Sequence, residues 1–253
     1  MSIPTIKGGM LGKLPPEVHK NTLSLGKYLT AILPFLKPSV NWDGRVTNWS
    51  PLGNDSYGDC VEAAAGNTVM TMTSQAGIQY SPTTNQILQD YTNITGFSPN
   101  NPNSDNGTVM VDAFSYYALN GIAGRKILGW ASVKIDSSLW EFKQAISLFS
   151  TVMVGFNFPQ SAMDQFNAGQ SWAINTSSPL IGGHCIAVSE YNATQLVCKT
   201  WGSLQPMSLG FLPYYADEAY VLITQDWINK MKKISPSGFN INVLENDAKV
   251  LIN

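Results

Sequence analysis

Apolar positions fall into helix-period segments in the first half of the chain and strand-period segments in the second. Val61, Ala64, Ala65, Thr68 and Met72 line one face of a run from Val61 to Ser74, with Gly77 placed to stop it. A face of alanines lets another element approach closely, so this helix is expected at the centre of the fold. Ser81-Pro82 opens a second, shorter helix with Leu88 and Tyr91 turned inward. Gly107 opens a third, with Val111, Phe114 and Ala118 in register and a stop at Asn120-Gly121, and Ser98 to Asn106 between them reads as surface loop.

The period changes to two at Ala131 to Ile135. Ser138-Leu139-Trp140-Glu141 has the form of a capping box ahead of a helix that buries Leu139, Phe142, Ile146 and Phe149. Thr151 to Phe158 reads as a buried strand and Gln160 to Pro179 as a long polar loop. Gly182 to Tyr191 and Gln195 to Trp201 form a hairpin around Asn192-Ala193-Thr194, and Ala219 to Thr224 is a further strand. Leu23 to Leu36 has the spacing of one short helix, and Trp227 to Met231 that of an amphipathic helix before a polar tail. The expected class is α+β. Residues 1–39 form an extended arm over the body, 40–225 the folded domain, with a helical lobe near 55–130 and a strand-rich lobe near 131–225, and 226–253 the terminal helix and tail.

A net charge of −2 without a basic cluster argues against nucleic acid or an anionic membrane as the main partner. No apolar stretch reaches the length of a membrane-spanning helix. The first residues lack a basic n-region and an apolar h-region, so the expected location is a cytoplasm, including that of a host cell, or a virion. With only 13% charged residues, the surface relies on Asn, Ser and Thr, which suits a particle-associated or assembled protein. Three cysteines, Cys60, Cys185 and Cys198, make no disulfide framework and lack metal-ligand spacing. Cys185 and Cys198 could face each other across the hairpin, but read rather as reduced core thiols, and no metal or organic cofactor is expected.

Chemistry concentrates at Gly53-Asn54-Asp55-Ser56-Tyr57-Gly58-Asp59-Cys60, a turn-rich loop that delivers a cysteine to a helix N-terminus. The dipole there favours an anion, so the thiol is expected to ionise readily and to act as a nucleophile; the competing reading is a small buried hydrophobe. A base must then come from a distant part of the chain. There are two histidines, His19 in the arm and His184 after two glycines at the head of the hairpin, and His184 is the better placed. Asp59 either caps the helix or meets substrate, and Asp217 and Glu218 read as solvated loop carboxylates or as partners of the histidine.

Val40-Asn41-Trp42, Val46-Thr47 and Pro51-Leu52-Gly53-Asn54 resemble the start of the mature domain of papain-type cysteine peptidases, and Asn120-Gly121-Ile122 resembles a helix end of that family. Val152-Met153-Val154-Gly155, Gly183-His184-Cys185-Ile186-Ala187-Val188 and Lys199-Thr200-Trp201-Gly202 continue the likeness, which covers roughly Val40 to Ile223. The resemblance implies a two-lobe papain-like fold with the site between the lobes. Cys60 is then the nucleophile, His184 its base, and Asn54, six residues ahead, the oxyanion-hole amide in place of the family's glutamine. The family's histidine-orienting asparagine is missing; Thr200 is the substitute, since its hydroxyl can accept an imidazole N–H, whereas protonated Lys199 cannot. Gly58, Asp59, Gly183 and Trp201 are expected to line the substrate, Trp201 alternatively forming core or a lid over His184.

Three functions follow. The leading one is a thiol protease acting on peptide or protein substrates through a thiolate–imidazolium pair and an acyl-enzyme. A cell-wall amidase or other acyl-transfer enzyme uses the same pair on another substrate. A structural or binding protein on a papain fold, such as a phage or bacterial virion component, is the third, with the arm contacting a protein partner or larger assembly. The arm stands where a propeptide would, but it is too short for the usual inhibitory domain, and autoprocessing is not expected.

Overall fold

The alanine-faced segment forms α1, Cys60–Ala76, in a computed structural model that describes residues 8–18, 20, 22–29, 36–225, 227 and 241–252. Almost every side chain of α1 is buried, because small residues let neighbours close on it from several sides. It ends at Gly77, whose φ of +117° lets the chain turn back and return its N–H to the last helical carbonyls. Against α1 pack α2, Thr84–Thr95, and α3, Met110–Leu119. Thr83 and Gln86 close a reciprocal capping box, so α2 begins after Thr83 rather than at Ser81-Pro82, and its buried apolar positions are Ile87 and Tyr91, with Leu88 half-buried.

On its other side α1 meets a sheet. Its strands are β1 (Leu23–Ser24), β2 (Val40–Asn41), β3 (Ile127–Ser132), β4 (Val152–Pro159), β5 (Leu180–Tyr191), β6 (Gln195–Thr200), β7 (Ser203–Ser208) and β8 (Ala216–Thr224). The order is β1-β3-β8-β4-β5-β6-β7, with β2 alongside β5; β1 and β3 are parallel and the other pairs antiparallel. Register places Gly155 of β4 between Cys185 of β5 and Glu218 of β8, and Phe156 opposite His184. The fold is α+β, as the two periodicities predict, with helices gathered on the central part of the sheet.

Several elements differ from the sequence expectation. Leu23 to Leu36 gives only β1 and a single 3-10 turn, Leu25–Tyr28, because Leu23 and Ser24 pair with β3; residues 30–35 lie outside the described part. The strand expected at Ala131 to Ile135 begins earlier, at Ile127. Helix α4, Trp140–Phe149, buries the expected face but has no capping box: Leu139 at its N-cap is left-handed, and Glu141 accepts the backbone N–H of Lys134 instead. The polar stretch from Gln160 starts with α5, Gln160–Asn167, which buries Ala162 and Phe166 one turn apart. Three strands or helices had no counterpart, β2, β7 and α6, Phe211–Tyr215, while the region expected as a polar tail carries α7, Ile241–Ile252, which buries Leu244 and Ala248. Of the helix expected at Trp227 to Met231, only Trp227 is described; residues 228–231 lie outside. Among the described residues, no helix is long and apolar enough to cross a membrane.

Candidate active site

Cys60 is the first residue of α1, and its thiol is buried where β5 crosses the helix N-terminus. The backbone of Cys185 and, from the N-terminal arm, that of Gly12 lie beside the sulfur and favour its charged form. His184 directly precedes Cys185, is fully buried, and has its Nε2 2.7 Å from Oγ1 of Thr200 on β6. With a proton on Nε2 the ring donates to the hydroxyl, leaving Nδ1 as an acceptor, and Nδ1 is buried without a partner. The Trp201 indole stacks on the imidazole at 4.6 Å between ring centroids, and Phe156 and Phe158 close its edges. Lys199 points away from this group: its ammonium lies with Asp43, Thr71 and Ser189 in a buried cluster on the α1 side of the sheet.

The cleft is occupied by the protein's own arm. Asn54 and Trp201 both direct an N–H at the carbonyl of Met10, at 3.1 and 3.3 Å. The N–H groups of Gly12 and Lys13 donate to the Gly183 carbonyl, while Thr108 donates to Gly12 and accepts from Leu14, so Lys13 bridges Thr108 in parallel sense. Gly12 lies so close to Gly58 that a Cβ there would overlap the Gly58 carbonyl. Gly58 donates its own N–H to the Asp105 carboxylate, at 3.0 and 3.1 Å. Thus Asn54, Gly58, Gly183 and Trp201 all touch the arm or stand against it. Asp59 turns away from the cleft: it occupies the N-cap position of α1 but makes no cap bond, and both its carboxyl oxygens are buried without partners. His19 lies outside the described residues.

Electrostatics in this closed form run against the easy ionisation expected of a helix-terminal thiol. Burial pushes Cys60 up to about 12, with Glu62 and Asp59 adding to the rise and the backbone of Cys185 and Gly12 offsetting part of it. Burial pulls His184 down to about 3, so thiol and imidazole are both neutral. Asp59 is held well above the usual carboxylate range, first by burial and then by Glu62 beside it. Glu62 is raised to about 7 by burial despite accepting the Thr108 hydroxyl at 2.7 Å. The positive end of α1 therefore faces buried acids as well as the thiol. Neither Asp217 nor Glu218 partners the histidine: Asp217 is solvent-exposed, as a solvated carboxylate would be, while Glu218 is buried in β8, and both face the ammonium of Lys13.

Sequence reasoning missed the arm residues Gly8 to Leu14, Thr108 and the aromatic wall of Phe156 and Phe158. One signal was available: Gly8, Gly9 and Gly12 leave little side-chain bulk in the segment, as a chain threading a narrow cleft requires. All three cysteines are free, as expected for Cys185 and Cys198, and Cys198 pairs across the hairpin with Val188 rather than with Cys185.

No protein-family model and no curated protein matches the chain by sequence. Solved structures do match by shape. Xylellain, a cysteine protease from Xylella fastidiosa, superimposes with a TM-score of 0.66 at 15% identity, over 88% of this chain and 99% of that one. Digestive procathepsin L2 from the Tenebrio molitor larval midgut gives 0.63 at 17% identity, over 88% and 81%. The cysteine protease and lectin-like domains of Cwp84 from Clostridium difficile give 0.55 at 13% identity, over 86% and 56%. The chain has the papain-like fold, and these structural neighbours are cysteine proteases.

Proposed function

We propose that this protein is a papain-like cysteine peptidase, hydrolysing peptide or closely related amide bonds, whose cleft is closed by its own N-terminal arm. The observation that carries the reading is the meeting of two chain segments. The backbone of the residue after His184 lies beside the Cys60 sulfur, while the His184 ring is oriented by Thr200 and covered by Trp201. Once the arm leaves, water reaches both groups and the cost of charging them falls. The thiol proton passes to Nδ1 of His184, and Thr200 holds Nε2–H so that Nδ1 is the nitrogen that receives it. The thiolate adds to the substrate carbonyl, and the negative oxygen takes N–H bonds from Cys60 and from Asn54, whose amide already binds a carbonyl in the cleft. The imidazolium then protonates the departing amine, and water hydrolyses the thioester with His184 as base.

The test is hydrolysis of a denatured protein substrate by full-length protein whose arm is displaced by Gly12→Val, with Cys60→Ala and His184→Ala in the same background. Turnover that both substitutions abolish while the fold persists is expected. A second reading has support in the neutral, covered pair: a papain-fold binding or structural protein. It takes over if the opened protein hydrolyses nothing and its Cys60 stays inert.

A further inference from the structure

Lys13 is the arm residue whose side chain leaves the cleft floor and enters the body of the protein. Its backbone N–H donates to Gly183, next to His184, and its neighbour Gly12 contacts the Cys60 sulfur, so the lysine stands one residue from the position over the nucleophile. Its ammonium ends 2.6 and 2.7 Å from the two carboxylate oxygens of Asp217 and 3.1 Å from Oε1 of Glu218. Glu218 is nine-tenths buried; its Oε1 is turned toward the ammonium, and its Oε2 accepts the Tyr220 hydroxyl at 3.1 Å. Gly155 forms the wall: a Cβ there would stand 2.6 Å from Lys13 Cε and 2.8 Å from Glu218 Cγ. Any side chain at 155 would fill the channel that the lysine stem occupies.

We propose that this channel is the specificity pocket of the enzyme. It takes the lysine or arginine of a substrate, one residue away from the residue whose carbonyl is attacked, and the arm closes the cleft by placing its own lysine there. The buried Glu218 and the more exposed Asp217 together leave a negative charge at the end of the pocket that a cation satisfies, and a neutral or acidic side chain would leave Oε1 of the buried Glu218 without a partner. The walls admit a long unbranched stem, which suits lysine and arginine.

The proposal rests on the peptidase reading, so the test separates the two. Full-length Gly12→Val, Lys13→Ala protein, with the arm lifted and the pocket vacated, is the background for every variant below; it is offered internally quenched Gly/Ala-frame peptides carrying a single Lys, Arg, norleucine or Glu, and cleavage sites are read by mass spectrometry. Cleavage one residue from Lys or Arg at least about tenfold faster than at norleucine is expected, with Glu poorest, since a buried charge-assisted pair discriminates at that level. In that background carrying Asp217→Asn and Glu218→Gln, the preference falls to within about twofold. Binding of the same peptides to Gly12→Val, Lys13→Ala, Cys60→Ala protein, by fluorescence anisotropy, reports on the pocket without catalysis. Basic peptides that bind there but are not cut by the Cys60 protein would overturn the peptidase reading and leave the pocket standing. Equal cleavage or equal binding of Lys and norleucine peptides would overturn the pocket.

Discussion

Gly12 is the position at which one substitution should open the cleft. It has no space for a side chain, since a Cβ would overlap the Gly58 carbonyl, and its backbone, with the N–H bonded to the Gly183 carbonyl, lies beside the Cys60 sulfur. Gly12→Val must therefore lift the arm at the point where it covers Cys60. In the closed form the thiol is pushed up to about 12; a free cysteine titrates near ~8.5. At pH 7.5 the thiolate fraction is then roughly 3 × 10⁻⁵ closed and roughly 0.1 open, a gain of about three orders of magnitude in the species that alkylates. Wild type reacts only through transient opening, so the measured gain reports how rarely the arm leaves. The assay is iodoacetamide labelling under pseudo-first-order conditions from pH 6 to 9, with the Cys60 peptide followed by mass spectrometry. Cys185 and Cys198, both buried and free, serve as internal controls for unfolding. Limited proteolysis of the arm confirms that it has been displaced. Folded Gly12→Val protein with a cleavable arm and a Cys60 labelled no faster than in wild type would refute the argument that the arm suppresses the thiol.

Three other outcomes follow. Thr200→Val leaves Nε2 of a buried imidazole without its partner; in the opened protein kcat should fall at least about tenfold with KM unchanged, and stability by about 1–3 kcal/mol, while Thr200→Asn retains much of both. An unchanged pH–rate profile in Thr200→Val would remove the positioning role. Glu62 has a folded value of about 7 against the usual 4.5, so below pH 4.5 folded and unfolded chains are both protonated at this site. Between these pH values the unfolded chain loses its proton first and stability falls, by about 3 kcal/mol in all; urea titrations from pH 4 to 8 should show Glu62→Gln losing that part of the slope. Lys199→Met strands the buried Asp43 carboxylate, from which the ammonium is 3.2 Å away, and should cost about 3–5 kcal/mol. Lys199→Met with Asp43→Asn should recover most of it, as chemical denaturation can show.

The parts of this fold legible in the sequence are those where one element carries its own pattern. The α1 face, the β5–β6 hairpin and the buried strand β4 each announce their period within a dozen residues. Helix α5 does not: its only buried apolar residues, Ala162 and Phe166, are diluted by Gln, Ser and Asn, so the segment passes for loop. The capping box at Ser138 failed for a tertiary reason, because Glu141 had a better use closing on Lys134 N–H than on the helix. At the site, chain order and residue type pointed to Cys60, His184 and Thr200, and the structure brings His184 and Thr200 into hydrogen-bond contact. The arm in the cleft could not be read, because its grip uses backbone groups that every residue possesses. Lys13 was equally hidden, since Asp217 and Glu218 are remote from it in sequence and become its partners only when β8 lies beside β4.

The closed form also explains why the helix dipole, the strongest local argument for a reactive thiol, does not decide its state. A terminal dipole contributes about 1–2 kcal/mol even in favourable, partly buried geometry, whereas moving a thiol from about 8.5 to about 12 corresponds to about 5 kcal/mol. Burial wins, and two acids sharing the helix end, Asp59 and Glu62, work on the same side. The histidine obeys the same balance from the opposite charge, pulled down to about 3 by burial alone. Neither group can charge first inside the cleft without standing as an isolated ion, so proton transfer between them waits on rehydration. The element that controls rehydration is the arm, which reaches the thiol through Gly12, the Trp201 lid over the imidazole through Met10, and the acidic pocket through Lys13. On the proposed peptidase reading, opening the cleft and ionising Cys60 are therefore one event, and a competing cation for Asp217 and Glu218 lowers the cost of both together.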